Sequence, residues 1–325
     1  MMYKSAVVTG ATGFLGQHMT HMLLQQGVEV SIIVRDKEKA KQLFPGERVK
    51  IITGSLLDPT LLQDVPENSA IFHCAAITGS IHTNQRTYDE ANIAGTRNLL
   101  NAAVARNAAH FIFVSSISAV GARGSLSSPI TEDTIPDPET YYGLSKALAE
   151  QTLLEHAPEH LPLTIVRPPL IYGPGQNPRS GASQLFKLLH RKIVPVVANK
   201  NAQVALVHVH NLCQAMIDLS LNHQGKEIFN VCDHKSYMLN DLAQLINPRA
   251  QTGVRFLTIP YFLVAPLALL GSGISFLCKR DFGLCLENLK GISQDGFVMS
   301  IDKALSKGYK PDILLENQVI SDFMS

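Results

Sequence analysis

Short apolar runs alternate with longer amphipathic stretches along the first half of the chain. The apolar runs are continuous and rich in β-branched residues, which is typical of strands buried on both faces of a parallel sheet. This alternation predicts an α/β fold with a doubly wound parallel sheet. We predict strands at Ser5–Thr9, Glu29–Val34, Val49–Thr53, Ala70–Cys74, His110–Ser115 and Leu163–Arg167. We predict helices at Gly16–Gln26, Lys37–Leu43, Pro59–Val65, Tyr88–Arg106 and Tyr141–His156.

Three spaced glycines connect the first predicted strand to the first predicted helix. Gly10 permits a tight turn, Gly13 lets backbone N–H groups approach a pyrophosphate, and Gly16 lets the helix pack close to the strand. A helix N-terminus favours an anion there. The alternative is a tight turn without a ligand, but the flanking strand and helix favour a dinucleotide site. The predicted cofactor contacts of this turn are Gly10, Thr12, Gly13, Phe14, Leu15 and Gly16.

The regular alternation ends near Arg167, after which prolines and glycines crowd residues 168–175. A turn-rich exit of this kind indicates a domain boundary. We predict a dinucleotide-binding Rossmann domain over residues 1–168 and a smaller substrate-binding lobe over residues 169–325. Alternating residues at Ala205–Val209 and an apolar strand at Glu227–Cys232 indicate that residues 203–233 return to the first domain.

Composition limits the class of protein. The 325 residues are 46% hydrophobic, which is enough for a sizeable core. The formal net charge of +1 gives no reason to expect a nucleic-acid partner. Five cysteines without a Cys-x-x-Cys pair fit a reducing compartment, and the N-terminus does not resemble a signal peptide, so we expect a cytoplasmic protein. We expect no metal site, since His208 and His210 share one face of a predicted strand without a third ligand nearby.

The apolar stretch from Phe256 to Cys278 contains no charged residue and is long enough to span a bilayer. Pro260, Pro266 and a Gly-Ser-Gly break divide it into two short segments. This division favours a buried helical pair that lines a pocket or a dimer contact. The second interpretation is an apolar hairpin that makes a peripheral membrane contact through residues 256–278, and the third is a true span.

Tyr142 and Lys146 lie four residues apart at the start of a predicted helix and share one helical face. The pKa of a phenol is ordinarily about 10. We expect the Lys146 ammonium to lower the pKa of Tyr142, so that the phenol can give or take a proton at working pH. The pair follows the fifth strand, which ends in Val114-Ser115-Ser116 at the edge where such sheets bind ligands. A serine there can donate a hydrogen bond to a substrate oxygen.

Nearly the whole chain resembles the extended short-chain dehydrogenases/reductases, within the NAD-dependent epimerase/dehydratase superfamily. Its C-terminal layout is most similar to the branch of 3β-hydroxysteroid dehydrogenases, because Ile259-Pro260 precedes a long apolar segment. The resemblance implies a homodimer through the helices at Tyr88–Arg106 and Tyr141–His156. The matching segments are Gly54–Asp58, His73–Ala76, Asn92–Asn98, Ser115–Gly121, Tyr142–Lys146, Arg167–Gly175, Val207–Val209 and Lys303–Pro311.

The resemblance also implies roles for individual residues. Tyr142 would be the catalytic acid/base, Lys146 would tune it and hold the nicotinamide ribose, and Ser116 would be the catalytic serine. Ser115 is the less favoured serine, and Asn92 would lie beside the ribose or a proton relay. The further implied cofactor contacts are Ser55, Leu56, Ala75, Ala76, Asn92, Ser115, Tyr142, Lys146, Pro168 and Ile171.

The chain departs from the family pattern at two places. Gly54-Ser55 stands where the family usually has Gly-Asp, which leaves the adenine contact mainly to Ser55 and Leu56. His210-Asn211 replaces the acid that often follows Val-His-Val. Neither departure touches the implied catalytic residues.

The choice of coenzyme depends on the end of the second strand, where a carboxylate binds the ribose of NAD and a cation binds the 2′-phosphate of NADP. Val34 occupies the position that usually carries the acid in the resembled family, and Arg35 follows it. Asp36 comes next and can still serve NAD. Arg35, with Lys37 and Lys39 close by, favours NADP, and NAD is the alternative.

We therefore expect an enzyme, an NAD(P)-dependent oxidoreductase that interconverts a ketone and a secondary alcohol on a hydrophobic small molecule. An uncharged lid buries an apolar substrate at about 25 cal/mol per Å² but offers little to a sugar-nucleotide diphosphate. The first alternative is a nucleotide-sugar epimerase or dehydratase, in which Arg179, Lys187 and Arg191 can bind a diphosphate. The second is a non-catalytic NADP(H) sensor, which would not need the serine, tyrosine and lysine.

Overall fold

The computed structural model of the protein describes residues 2–46, 48–58, 60–78, 84–121, 124–191, 193–196, 203–246, 255–258 and 296–317. Its strands are β1 (Ser5–Thr9), β2 (Glu29–Val34), β3 (Val49–Thr53), β4 (Ala70–His73), β5 (His110–Val114), β6 (Leu163–Arg167), β7 (Leu170–Tyr172), β8 (Ile193–Val196), β9 (Gln203–Val204), β10 (Leu206–His208), β11 (Lys226–Asn230), β12 (Tyr237–Met238), β13 (Arg255–Thr258) and β14 (Gly296–Phe297). Its α-helices are α1 (Phe14–Gln25), α2 (Lys37–Leu43), α3 (Gln85–Tyr88), α4 (Gly95–Ala105), α5 (Tyr141–His156), α6 (Gly181–Leu189), α7 (Val209–Leu221), α8 (Leu239–Ile246) and α9 (Asp302–Ser306). A π-helical turn covers Asp89–Ala94, and 3₁₀ turns cover Leu61–Asp64, Ile117–Ala119 and Leu315–Asn317.

Seven parallel strands form the main sheet in the order β3, β2, β1, β4, β5, β6, β11. The strand order reverses between β1 and β4, and open α/β sheets bind ligands at such a reversal, outside the carboxyl ends of the strands. Thr9 and His73, the last residues of β1 and β4, are in register there. The predicted doubly wound parallel sheet is confirmed.

Alternate residues of the central strands face opposite sides of the sheet and pack beneath different helices. On β1, Val8 belongs to an apolar cluster that includes Met19 of α1, whereas Val7 belongs to a cluster that includes Leu153 of α5. All four side chains are fully buried. Helices therefore cover both faces of the sheet, and the carboxyl ends of its strands are left to form a site.

Two predicted helices differ from the structure. The helix predicted at Tyr88–Arg106 begins three residues earlier, at Gln85 after the cap Asn84, and it contains a π-helical turn between α3 and α4. This wider turn contains the buried Asn92, and a helical hydrophobic period does not indicate such an insertion. The helix predicted at Pro59–Val65 is only a 3₁₀ turn, Leu61–Asp64.

The strand predicted at Ala205–Val209 is also corrected. β10 ends at His208, and α7 begins at the next residue because the His208 ring accepts a hydrogen bond of 3.2 Å from the backbone N–H of His210. His208 and His210 therefore do not share a strand face. Within the described ranges, no group of three or more His, Cys, Asp or Glu side chains is arranged to hold a metal ion.

The C-terminal half adds small sheets and a third apolar cluster. β7 pairs with β10, β9 lies between β12 and β14, and β13 pairs with β8, while β11 joins the main sheet beside β6. Phe186 of α6, Leu206 of β10 and Leu242 of α8 are buried together.

Most of the predicted apolar segment, residues 259–278, lies outside the described residues. In the part of the chain that is described, no helix has both the length and the hydropathy to cross a bilayer.

Candidate active site

The glycine turn between β1 and α1 fits a pyrophosphate. Gly10 has a φ of +71°, and the Gly13 N–H donates to the Gly10 carbonyl oxygen over 2.8 Å. A Cβ on Gly16 would lie 2.2 Å from the same oxygen, so only glycine lets α1 pass this close to the turn. α1 begins at Phe14, two residues before the predicted start, and none of the described side chains caps its first turn. Its first N–H groups are therefore available to an anion.

The segment after β4 borders this turn. The Ala75 backbone N–H donates to Thr9 Oγ1 over 3.1 Å. A Cβ on Gly10 would lie 2.7 Å from the Ala75 nitrogen, so the two backbones are in close contact. Ala75 and Ala76 are both partly exposed. The structure thus brings these two predicted contacts next to the glycine turn.

The residues predicted to select the coenzyme follow β2. The Asp36 carboxylate accepts a backbone hydrogen bond of 2.9 Å and caps α2, whereas the Arg35 side chain is exposed. Because its carboxylate already caps a helix, Asp36 is the poorer candidate for binding a ribose. The Gly54 N–H donates to the last carbonyl of β2 over 2.8 Å. This bond places Ser55 and Leu56 beside the end of that strand.

Three catalytic candidates meet where β5 ends and α5 begins. The Ser116 side chain lies close enough to the Tyr142 phenol to lower the pKa of that phenol. The Lys146 ammonium, one turn along α5, donates to the Val114 carbonyl oxygen over 2.7 Å. It also lies 4.6 Å from the centre of the Phe113 ring, where a cation is attracted by the aromatic face. The structure therefore brings the predicted serine, tyrosine and lysine together.

The expected effect of Lys146 on Tyr142 is wrong in this structure. Burial raises the pKa of Tyr142 to about 12, the nearby Ser116 side chain opposes this change, and Tyr88 adds to it. Burial also lowers the pKa of Lys146 to about 8. The Lys146 ammonium donates to a backbone carbonyl at the end of β5, and burial, which disfavours a phenolate, is the main cause of the shift in the pKa of Tyr142. Tyr142 consequently holds its proton at neutral pH.

Ser115 is engaged elsewhere. Its hydroxyl donates to the Glu150 carboxylate, which also forms an ion pair of 2.6 Å with Arg167. The two charged side chains are only 4% and 3% exposed. This arrangement leaves Ser116 as the serine of the site. Sequence reasoning missed Glu150 and Arg167, although Glu150 continues the four-residue spacing of the tyrosine and the lysine, and Arg167 ends an apolar strand.

Asn92 connects the loop after β4 to α5. Its Oδ1 accepts from the Ile77 N–H over 2.8 Å, and its Nδ2 donates to the Ile77 carbonyl over 3.1 Å and to Ser145 Oγ over 2.9 Å. Pro168 accepts a backbone hydrogen bond of 3.0 Å from the turn after β5, and Ile171 lies in β7 just beyond it. These residues surround the carboxyl end of β5, and their contacts with a coenzyme remain predictions.

Comparison with known proteins places the chain in a family. Residues 6–232 match the model of the NAD dependent epimerase/dehydratase family. A ceramide reductase of Caulobacter vibrioides is 31% identical over 211 residues, which are 65% of this chain and 59% of that protein. A UDP-N-acetyl-alpha-D-glucosaminuronate decarboxylase of Bacillus cytotoxicus is 28% identical over 284 residues, 82% of this chain and 86% of that protein.

Solved structures show the same fold. A UDP-glucuronic acid 4-epimerase of Bacillus cereus in complex with UDP-glucuronic acid and NAD superposes with a TM-score of 0.74 at 19% identity. The superposition covers 98% of each chain. Since the family model spans most of the chain, the protein belongs to the NAD-dependent epimerase/dehydratase family of extended short-chain dehydrogenases/reductases, and it is an enzyme of that type.

Proposed function

We propose that the protein is an NAD(P)-dependent oxidoreductase that interconverts a ketone and a secondary alcohol on a hydrophobic small molecule. The observation that carries this proposal is the position of Ser116 beside the Tyr142 phenol, with the Lys146 ammonium one helical turn away. These residues lie at the carboxyl end of β5, one strand from the reversal of strand order. A bound nicotinamide dinucleotide would supply or accept the hydride.

Tyr142 would transfer the proton. Because burial raises its pKa to about 12, its hydroxyl is protonated at neutral pH and can donate to the oxygen of a substrate carbonyl. Ser116, which lies beside the same hydroxyl, would donate a hydrogen bond to that oxygen. The positive charge of Lys146 would stabilise the phenolate that Tyr142 becomes when it donates its proton. The protonated tyrosine therefore favours ketone reduction as the direction to assay first.

NADP is the coenzyme that the described residues favour. The exposed Arg35 follows β2 and can pair with a 2′-phosphate, whereas Asp36 already caps α2. The glycine turn would hold the pyrophosphate, Ser55 and Leu56 would contact the adenine, and the segment from Pro168 would face the nicotinamide. NAD is the alternative, and the solved epimerase of Bacillus cereus contains NAD.

An apolar substrate is supported by the positions of the cations in the C-terminal half. Arg179, Lys187 and Arg191, the proposed diphosphate ligands of the alternative enzyme, are all exposed around α6. Lys187 Nζ donates to the carbonyl of Pro178 over 3.4 Å, so the Lys187 side chain contacts the turn that precedes its own helix. A relative is named a ceramide reductase, so the family contains a reductase named for a lipid. The closer likeness to hydroxysteroid dehydrogenases remains a prediction.

A nucleotide-sugar epimerase is the second candidate. It is favoured by the likeness to a UDP-sugar decarboxylase over 82% of this chain and to a UDP-glucuronic acid epimerase in fold. Such an enzyme would use the same tyrosine and lysine but return the hydride to the substrate within one turnover. The two candidates therefore differ in whether they consume the coenzyme.

One assay separates these functions. The protein is incubated with NADPH and, separately, a ketosteroid, a keto-ceramide or an aromatic ketone, and the loss of NADPH fluorescence is followed. In parallel, UDP-glucose is supplied with NAD, and its sugar product is identified by chromatography. Net consumption of NADPH with an apolar ketone supports the proposal. Conversion of UDP-glucose without net consumption supports the epimerase, and binding of NADPH without any turnover supports the sensor.

The assembly is also a proposal. We infer a homodimer through α4 and α5, the helices that the family resemblance implies, and a division into two lobes after residue 168. Light scattering after gel filtration gives the mass of the particle. Flotation with liposomes of neutral and anionic lipids tests the peripheral membrane contact proposed for residues 256–278.

A further inference from the structure

A series of hydrogen bonds connects the buried ends of β1 and β4 to α4. Thr9 Oγ1 accepts from the Ala75 N–H over 3.1 Å and lies 2.7 Å from His73 Nδ1. His73 Nε2 lies 2.9 Å from Thr96 Oγ1, and Thr96 donates to the backbone carbonyl of Asn92 over 2.6 Å. The two threonines and the histidine are at most 1% exposed.

Only one placement of protons satisfies this series. A backbone N–H can only donate and a carbonyl can only accept, so Thr9 accepts at one end and Thr96 gives away its single proton at the other. His73 Nε2 must therefore carry the proton that bonds Thr96, and Nδ1 must accept the proton of Thr9. Burial lowers the pKa of His73 to about 3, and the positive charge of Lys146 acts in the same direction, so the ring is neutral.

The two ends of the series reach different parts of the site. At one end, the Ala75 backbone contacts the glycine turn at Gly10. At the other end, the Asn92 side chain donates to Ser145 Oγ, and the Ser145 hydroxyl donates to the backbone carbonyl of Tyr142 over 2.8 Å. The series thus joins the segment that would hold the pyrophosphate to the helix that carries the tyrosine.

We propose that His73, as the neutral Nε2–H tautomer, is a positioning residue that fixes the spacing between the glycine turn and the Tyr142 helix. Through this spacing it sets the affinity for the dinucleotide, although it touches neither coenzyme nor substrate. The inference rests on the proposed function, since it requires that the site binds a nicotinamide dinucleotide.

The chain offers a matched control for the test. Thr164 Oγ1 lies 2.8 Å from His110 Nε2 and 2.7 Å from His223 Nε2, near the amino ends of β5 and β6. Like Thr9, Thr164 is a fully buried strand threonine bonded to a buried histidine. It lies at the opposite edge of the sheet from the glycine turn. A Thr→Val substitution removes only the hydroxyl and keeps the shape of the side chain.

The experiment measures the Kd for NADPH by fluorescence of the bound coenzyme, together with the Tm of each variant. We expect Thr9→Val and Thr96→Val to raise the Kd about tenfold. Thr164→Val should lower the Tm by about as much as Thr9→Val and Thr96→Val do, but it should leave the Kd for NADPH unchanged. Thr9→Ser, which keeps the hydroxyl, should bind NADPH like the natural protein.

Other outcomes overturn the inference in recognisable ways. An unchanged Kd in Thr9→Val and Thr96→Val would show that His73 only stabilises the fold, while the proposed function would stand. A Kd raised equally in Thr164→Val would show general loosening of the sheet. If the natural protein itself binds neither NADPH nor NADH, the proposed function fails and the inference fails with it.

Discussion

Replacing Glu150 with glutamine removes one charge from the buried ion pair that Glu150 forms with Arg167. Glu150 lies on α5, the helix that also carries Tyr142 and Lys146. Arg167 donates to the carboxylate from Nε over 3.0 Å and from Nη2 over 2.6 Å, and both side chains are almost fully buried. Glutamine keeps one acceptor oxygen but turns its own donors toward the guanidinium, which leaves a buried charge unpaired. Removing one partner of such a pair costs about 3–5 kcal/mol. That is a large share of the roughly 5–15 kcal/mol that stabilises a typical fold.

Urea unfolding followed by circular dichroism measures this loss. Glu90→Gln is the control, since Glu90 pairs with Arg86 on the surface, where the two side chains are 49% and 85% exposed. We expect the control to leave the free energy of unfolding unchanged, because water screens exposed pairs. The double variant Glu150→Leu/Arg167→Met should recover most of the loss, since no unpaired charge remains. A loss below about 1 kcal/mol in Glu150→Gln, or a double variant no more stable than the single one, would refute the reasoning.

Three further predictions concern the glycine turn, the arginine that follows β2 and a buried histidine. Gly16→Ala should abolish NADPH binding, seen as loss of coenzyme fluorescence enhancement, because its Cβ would lie 2.2 Å from a carbonyl oxygen. Gly225→Ala, which has open space at that position, should bind normally. Arg35→Ala should raise the Kd for NADPH at least about tenfold and leave that for NADH nearly unchanged, since a charge-assisted hydrogen bond contributes about 1.5–3 kcal/mol. Burial lowers the pKa of His110 from 6.5 to about 3, so unfolded His110 gains a proton as pH falls below 6.5 while folded His110 stays neutral. The free energy of unfolding should therefore fall by about 2 kcal/mol from this residue between pH 7 and pH 5, and His110→Gln should lose that part of the pH dependence.

The features that were predictable from the sequence are those that short segments determine. Six of the seven strands of the main sheet follow from continuous apolar runs such as Glu29–Val34, whose observed ends match the prediction. The glycine turn and the spacing of Tyr142 and Lys146 are local as well, because one turn and one helix place these residues. For the same reason, the sequence alone predicts a site at the carboxyl end of β5.

The remaining features depend on contacts between distant parts of the chain. The pKa of Tyr142 was expected to fall, but tertiary burial raises it, and burial of one side chain is not visible in a four-residue spacing. The choice between Ser115 and Ser116 required Glu150, which lies 35 residues further along. The π-helical turn around Asn92 inserts a residue that periodicity does not reveal.

The central claim is that the buried, protonated phenol of Tyr142 donates the proton during hydride transfer. The turnover of Tyr142→Phe tests this claim most directly. The control is Tyr141→Phe, because Tyr141 is the exposed neighbour at 47% exposure. The account predicts that Tyr142→Phe lowers kcat for NADPH-dependent reduction of an apolar ketone by about 100- to 10,000-fold while the Kd for NADPH stays within about twofold. Tyr141→Phe should match the natural protein in both. Undiminished turnover in Tyr142→Phe would contradict the account.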